Sequence, residues 1–480
     1  MRWLPPLLLL AVAAVWATSL GAGFVFDDIA DVVENTAAQA ATFFQRLPTT
    51  LRPLLKASYA LQDWLHGPWA PGFHALNVVL HVACCALVYA LLRRWLRSAA
   101  DPSIRPLTRP AQDEARESVD KPTDLILSSP AQPGVSKDRP TSATLTALLA
   151  TALWAMHPAL TASVTQVAGR SAVLSGLLVL AALLLATGKP TWARLLPAGL
   201  LALLAPLARE TALVLPLLLL WWQVTLGRDA PAKRALPVWA GALLAAAAIA
   251  AMPTHRDMIG FSLDSRGPVE ALRGNVVAIP MILRFLVMPW DVSIDPAQPR
   301  PWGWSDWPTL LSLAGIAAAA LIALVLRRRW PLAAFALGWT LLCLLPSNSV
   351  LWRSDPVALR PLYLAGIGPA LLIALLLARW RGGLLLGAAL ALALAAMTVE
   401  RNRLYADPVA LWRDAIDEAP AKARPWIQTG LARLDRREWA AAGEALCEGL
   451  RLQPGNRAAR QGLQILAAEA GAAAVPCTLP

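Results

Sequence analysis

Two adjacent carboxylates, Asp27 and Asp28, stand a few residues past the first apolar run of the chain. A carboxylate pair beside an apolar helix end is costly unless it is solvated or used. Two readings follow: a solvated loop that caps a helix, or a general base with a raised pKa. Asp31 and Glu34 come next at helical spacing, as on a solvated face. Arg52 precedes Pro53-Leu54-Leu55-Lys56, and His74, Asn77 and His81 recur at i, i+3 and i+7 within an apolar stretch. That spacing puts the three on one helix face, where polar groups at membrane depth serve interhelical hydrogen bonds or a ligand. His157-Pro158, Gly169-Arg170, Arg209-Glu210 and Arg360-Pro361-Leu362-Tyr363 each set a polar residue at the end of an apolar run. Arginine offers phosphate a planar, two-pronged fork. Taken singly, each of these arginines reads equally as a snorkelling or salt-bridged side chain. Convergence of Arg170, Arg209 and Arg360 on the side that holds Asp27 and Asp28 would make a phosphate site. The sequence has no CxxC, no zinc spacing, no Walker A and no GxGxxG, so it offers no metal or nucleotide site of those kinds. Dependence on a free divalent metal is left open.

The elements that must position these residues are membrane helices. The chain has 480 residues, 57% hydrophobic and only 15% charged, with a mean hydropathy of +0.51. An average soluble protein is about 25% charged, so this composition excludes disorder and speaks against a soluble enzyme. Many runs approach the roughly 20 apolar residues that a spanning helix needs. The net charge of +12 reads as topology and attraction to anionic lipid, not nucleic acid. A content of 21 Trp against 4 Tyr suits a protein rich in membrane interfaces.

Span 1 covers Leu4 to Leu20. It is short enough for a signal peptide, but Phe24-Val25-Phe26-Asp27-Asp28 reads as placed by a retained helix. A first outer loop, 23–72, leads to a span at 73–92. The polar segment 98–142, rich in Pro, Ser, Asp and Arg, has a loop composition. Further spans are expected at 143–157, 171–187, 195–208, 211–227 and 236–252. A long polar loop, 253–308, follows, with a short apolar piece at Val276–Val287. The last spans fall at 309–326, 331–346, 361–378 and 384–398. With the N-terminus inside, the inner segments hold 19 Lys and Arg in about 73 residues, and the outer ones 12 in about 135. Basic residues stay on the cytoplasmic side of short loops, and Arg327-Arg328-Arg329 anchors the assignment. It requires Val276–Val287 to lie on the outer surface or re-enter. The expected protein is all-α and polytopic, with eleven spans in 1–399 and residues 400–480 outside.

The tail 400–480 has the composition of a soluble helical domain. Ala423-Arg-Pro-Trp-Ile-Gln-Thr-Gly430, then Trp439-Ala-Ala-Ala-Gly-Glu-Ala-Leu446 and Pro454, fit one tetratricopeptide-like unit of about 34 residues. One repeat cannot bury its own face, so it should pack against 405–419, 456–470 and the outer loops. Cys84, Cys85 and Cys343 fall in spans. Cys447 and Cys477 fall in the tail, as a bridge or as two free thiols.

An outer site cannot be fed by cytosolic nucleotide sugars, so a donor used there has to travel in the membrane, and a polyprenyl phosphate is the obvious carrier. The ordered motifs resemble those of the type C integral-membrane glycosyltransferases, nearest to the tetratricopeptide-containing transmembrane O-mannosyltransferase-like proteins and their bacterial relatives. The matching pieces are Phe24–Asp28, Arg52-Pro53-Leu54, Phe73–His81, His157-Pro158 with Gly169-Arg170, Glu210–Pro216, Leu345–Ser349, Arg360–Tyr363 and Trp412. The resemblance implies transfer from a polyprenyl-phosphate-linked sugar to a hydroxyl of a protein or envelope glycan, on the periplasmic face of the inner membrane. It makes Asp27 or Asp28 the catalytic carboxylate. Arg170, Arg209, Arg360 and Tyr363 become donor-binding candidates, with Arg52, His74, Asn77, His157 and Glu210 in support. Two other functions fit the composition: a membrane scaffold whose repeat recruits an envelope or pilus partner, and a transporter. A transporter should show internal repeats, and none is visible.

Overall fold

The computed structural model describes residues 2–100, 139–228, 230–300, 302–471 and 475–477. The expected inner loop 98–142 lies outside them except at its ends. Every regular element among the described residues is a helix. Six helices are long and apolar enough to cross a membrane: Leu4–Gly21, Ala70–Ala99, Val167–Ala186, Ala232–Ala251, Trp307–Leu326 and Gly383–Tyr405. A pair bent by 57°, Ser142–Ala155 and Pro158–Val164, would make a seventh.

Four more expected spans appear as apolar helices too short to qualify by length: Trp192–Ala208, Glu210–Thr225, Pro331–Leu344 and Leu362–Leu377. The expected count of eleven is therefore not reached by length alone. The interruptions have local causes. Pro158 cannot continue the hydrogen-bond ladder of the preceding helix, and His157 turns out to β backbone there. Arg209, at φ −161° and ψ 126°, ends the helix Trp192–Ala208 in extended conformation. Both breaks fall at positions the sequence marks for chemistry.

The bundle closes through small residues. A Cβ on Gly241 would strike the Gly199 carbonyl, so Trp192–Ala208 and Ala235–Ala251 approach backbone to backbone. Trp16 of the first helix is fully buried and donates from Nε1 to the Ala155 carbonyl at 2.8 Å. The loop 253–308 holds two helices, Pro253–Ser265 and Pro268–Arg284, where the sequence reading marked only one short apolar piece. Neither is long and apolar enough to cross.

The tail forms four successive helices, Pro408–Glu418, Ala423–Asp435, Trp439–Leu452 and Arg457–Ala470. Ile427, Leu434, Leu446, Leu450, Leu463 and Leu466 make its core. Gly430 sits against Leu446 and Gly449 against Ile427, each too close to admit a Cβ. Cys447 and Cys477 are bridged, with Cα atoms 5.9 Å apart. The three span cysteines are free and buried.

Candidate functional site

The loop after the first helix runs through Phe26 at φ 53°, a region a bulky residue seldom occupies. That kink sends Asp27 and Asp28 in different directions. Asp28 is fully buried. Its Oδ1 accepts the Ala168 amide at 2.7 Å and its Oδ2 the Val25 amide at 3.2 Å. Burial pushes its pKa up to about 6, while the two amides and the charge of Arg360 pull it down. Asp27 stays about one-third exposed and accepts from Arg360 Nη2 at 2.6 Å.

Arg360 also reaches Gln166 Oε1 at 3.2 Å and the Ala162 carbonyl at 3.4 Å. Beside it lies a second ion pair. Arg52 Nε donates to both Glu210 oxygens at 3.0 Å, and His255 Nε2 lies 3.4 Å from Oε1. Two further guanidiniums face this group with no carboxylate within salt-bridge distance among the described residues. Arg209, 6% exposed, has a hydrogen bond from Nη1 to Ser171 Oγ at 2.9 Å. Arg353 has one from Nη1 to the Ser347 carbonyl at 3.4 Å. Burial lowers the pKa of Arg209, and the charges of Arg52, Arg360 and Arg353 lower it further. Arg353 is lowered in the same way, by burial and then by Arg52 and Arg360. Four arginines thus share one region, where Asp27 and Glu210 are ion-paired to Arg360 and Arg52 and Asp31 and Asp355 act on Arg52 and Arg353 at longer range.

The remaining expected site residues lie elsewhere. Arg170 is fully buried and spent on protein acceptors: Asn77 Oδ1 at 2.7 Å from Nε, the Phe73 carbonyl at 2.9 Å from Nη2, and Ser58 at 3.4 Å from Nη1. Its guanidinium lies over the Tyr59 ring, 4.6 Å from the centroid. Each of its three nitrogens thus has a protein acceptor. Asn77 donates to the Val164 and Gln166 carbonyls at 3.1 Å. Tyr363, also buried, donates to His81 Nδ1 at 2.9 Å, and His81 Nε2 donates to the Ala155 carbonyl at 3.2 Å. His157 Nδ1 accepts the Ala159 amide at 3.1 Å, capping the broken span, while Nε2 faces the Leu286 carbonyl. His74 is buried against the Gly23 and Thr165 backbone. These side chains shape the segment 157–170, whose Ala162, Gln166 and Ala168 hold Arg360 and Asp28.

Sequence reading missed Arg353, Gln166 and His255. Arg353 had a signal, since it precedes Arg360 by seven residues in the same short loop. Gln166 and His255 are joined to the site only by tertiary structure.

Behind the segment 157–164 lies an apolar cavity of about 280 Å³, lined by Trp154, Leu160, Leu286, Trp290, Pro369 and Leu394 among others. Leu160 is two residues from the carbonyl that Arg360 reaches.

An alignment of 100 positions that covers 18% of this chain is 34% identical to Protein O-mannosyl-transferase Tmtc2 of Drosophila melanogaster. It spans 11% of that relative's length. No family model matches the chain, and no solved structure does.

Proposed function

We propose that the chain is a glycosyltransferase that moves a sugar from a polyprenyl-phosphate carrier to a hydroxyl acceptor on the extracytoplasmic face. In this reading it has eleven spans, with the four short apolar helices and the bent pair completing the count. The N-terminus is inside and the tetratricopeptide-like tail outside. The observation that carries the reading is the pair Arg209 and Arg353, buried or half-buried with no ion-paired carboxylate among the described residues, in the same charged group as Arg360, which pairs with Asp27. A phosphate would neutralise them, and the neighbouring apolar cavity suits the first isoprene units of its lipid.

In the step itself, Asp27 accepts the proton of the acceptor hydroxyl. The hydroxyl oxygen forms a bond to the anomeric carbon, and the bond from that carbon to the phosphate oxygen breaks. The electron pair leaves on the polyprenyl phosphate, whose added charge Arg209, Arg353 and Arg360 stabilise. Arg360, which donates to Asp27 at 2.6 Å, is shared between the base and the phosphate. Glu210 holds Arg52 so that it lines the site without collapsing onto Asp27. The partial likeness to an O-mannosyltransferase supports the reaction class.

Asp27→Asn in vesicles loaded with a polyprenyl-phosphate sugar tests this. Transfer should fall by about 10²–10⁴ with thermal stability kept. A folded Asp27→Asn protein that transfers at the wild-type rate refutes the assignment.

A further inference from the structure

Arg353 faces two ways. One side meets the arginine group that includes Arg360, and the other lines a separate arginine-lined cavity of about 190 Å³. That cavity sits between the start of the helix Pro268–Arg284 and the loops around 298–302 and 352–356. Arg266, Arg273, Arg300 and Arg353 line it, with Glu270 as the one acidic lining residue. Glu270 already lies 3.4 Å from Arg273 and 3.8 Å from Arg266. Arg300 has no ion pair among the described residues. The walls therefore carry three positive charges in excess. Trp302 and Trp352 also line the cavity, and the Trp352 ring packs against Phe261 with centroids 6.0 Å apart. Trp352 is held in place, because its amide donates to Ser262 Oγ at 2.8 Å.

We propose that this cavity binds the acceptor, and that the acceptor is an anionic saccharide, a sugar ring bearing a phosphate or carboxylate. The inference rests on the glycosyltransferase reading and adds the substrate class. Tryptophan faces pack against the apolar face of a pyranose, while arginine forks take the anionic oxygens. The volume is small beside the roughly 300–1,000 Å³ of drug-sized sites, so it holds one ring and not a lipid chain. A single loop carries both Arg353 in this cavity and Arg360 at Asp27, which links the acceptor cavity to the proposed base. The cavity behind 157–164 has no arginine among its lining residues, so it suits the donor lipid and not an anionic acceptor.

The test is direct binding to the full chain in nanodiscs, with glucose 6-phosphate as probe and glucose and inorganic phosphate as controls. Glucose 6-phosphate should bind at least about tenfold more tightly than either control. Arg273→Gln and Arg300→Gln should each weaken it about tenfold, in line with a charge-assisted hydrogen bond, and Trp302→Ala should weaken glucose 6-phosphate without weakening inorganic phosphate. Equal binding of glucose 6-phosphate and inorganic phosphate would overturn the saccharide assignment. Unchanged binding in both arginine variants would overturn the cavity. The readout needs no transfer: a protein that transfers sugar but does not bind the probe here refutes only this inference, and one that binds the probe but never transfers refutes only the reaction.

Discussion

Asp28 accepts two backbone amides in a buried pocket, and Asp27, one residue earlier, meets Arg360 where it is about one-third exposed. The sequence marked the pair but not the division of labour, because the amide that holds Asp28 belongs to Ala168, 140 residues away. The same distance problem hid the fate of Arg170. Its position after Gly169 looks like a phosphate site, and only the fold shows Asn77, Phe73 and Ser58 taking its nitrogens. Asp28 leads to a stability prediction with a defined sign. Its folded pKa, near 6, lies above the ordinary 3.8, so the folded protein binds this proton more tightly than the unfolded chain. The stability Asp28 contributes is then full below about pH 4 and is lost as pH rises through about 6. Asp28→Asn removes the titration and turns an amide donor toward a backbone donor, at a cost of roughly 1–3 kcal/mol. Thermal midpoints of both proteins between pH 4 and 8 should show a wild-type advantage that shrinks as pH rises. A constant difference across that range would mean that Asp28 does not titrate there.

Phe26, the kinked residue before Asp27, is held by the C-terminal helices. Its ring meets Trp412 edge-on at 5.4 Å, and Arg424 lies over it at 5.5 Å. Arg424 and Lys422 also bind Asp295 and Asp355, which ties the tail to the loop carrying Arg353 and Arg360. Positive φ at a phenylalanine costs on the order of 1–3 kcal/mol and persists only where packing over-determines it. The tail therefore acts as a brace on the proposed base. Trp412 was legible as part of the family resemblance, but its partner was not, since nothing in the spacing links residue 26 to residue 412. Trp412→Ala should lower kcat at least tenfold while KM for the lipid-linked donor stays near wild type, and Trp412→Phe should restore most of the rate. A rise in KM with kcat unchanged would assign the tail to donor binding instead.

At the scale of the whole molecule, hydropathy made the membrane class legible, and the places where it overcounted long helices are informative. The breaks at His157-Pro158 and at Arg209 shorten apolar runs where side chains of the site, or of the segment that shapes it, must leave the helical ladder. A window of mean apolarity cannot see such a break, because it averages over one polar residue. Sidedness is the next inference to test, since every step proposed for Asp27 needs it and the acceptor outside. The triple arginine 327–329 favours the cytoplasm for that turn, and the Cys447–Cys477 bridge favours an oxidising compartment for the tail. The bridge spans 30 positions, for which chain entropy gives about 3 kcal/mol of stabilisation. An impermeant maleimide added outside intact cells should label Cys447 and Cys477 only after reduction, while the buried thiols Cys84, Cys85 and Cys343 stay unlabelled. Labelling of the tail without reductant would rule out the bridge. Labelling of the reduced tail only from the cytoplasmic side would place it, and the Phe26–Trp412 contact that braces Asp27, on the inner face, and the lipid-linked donor reading would fail with it.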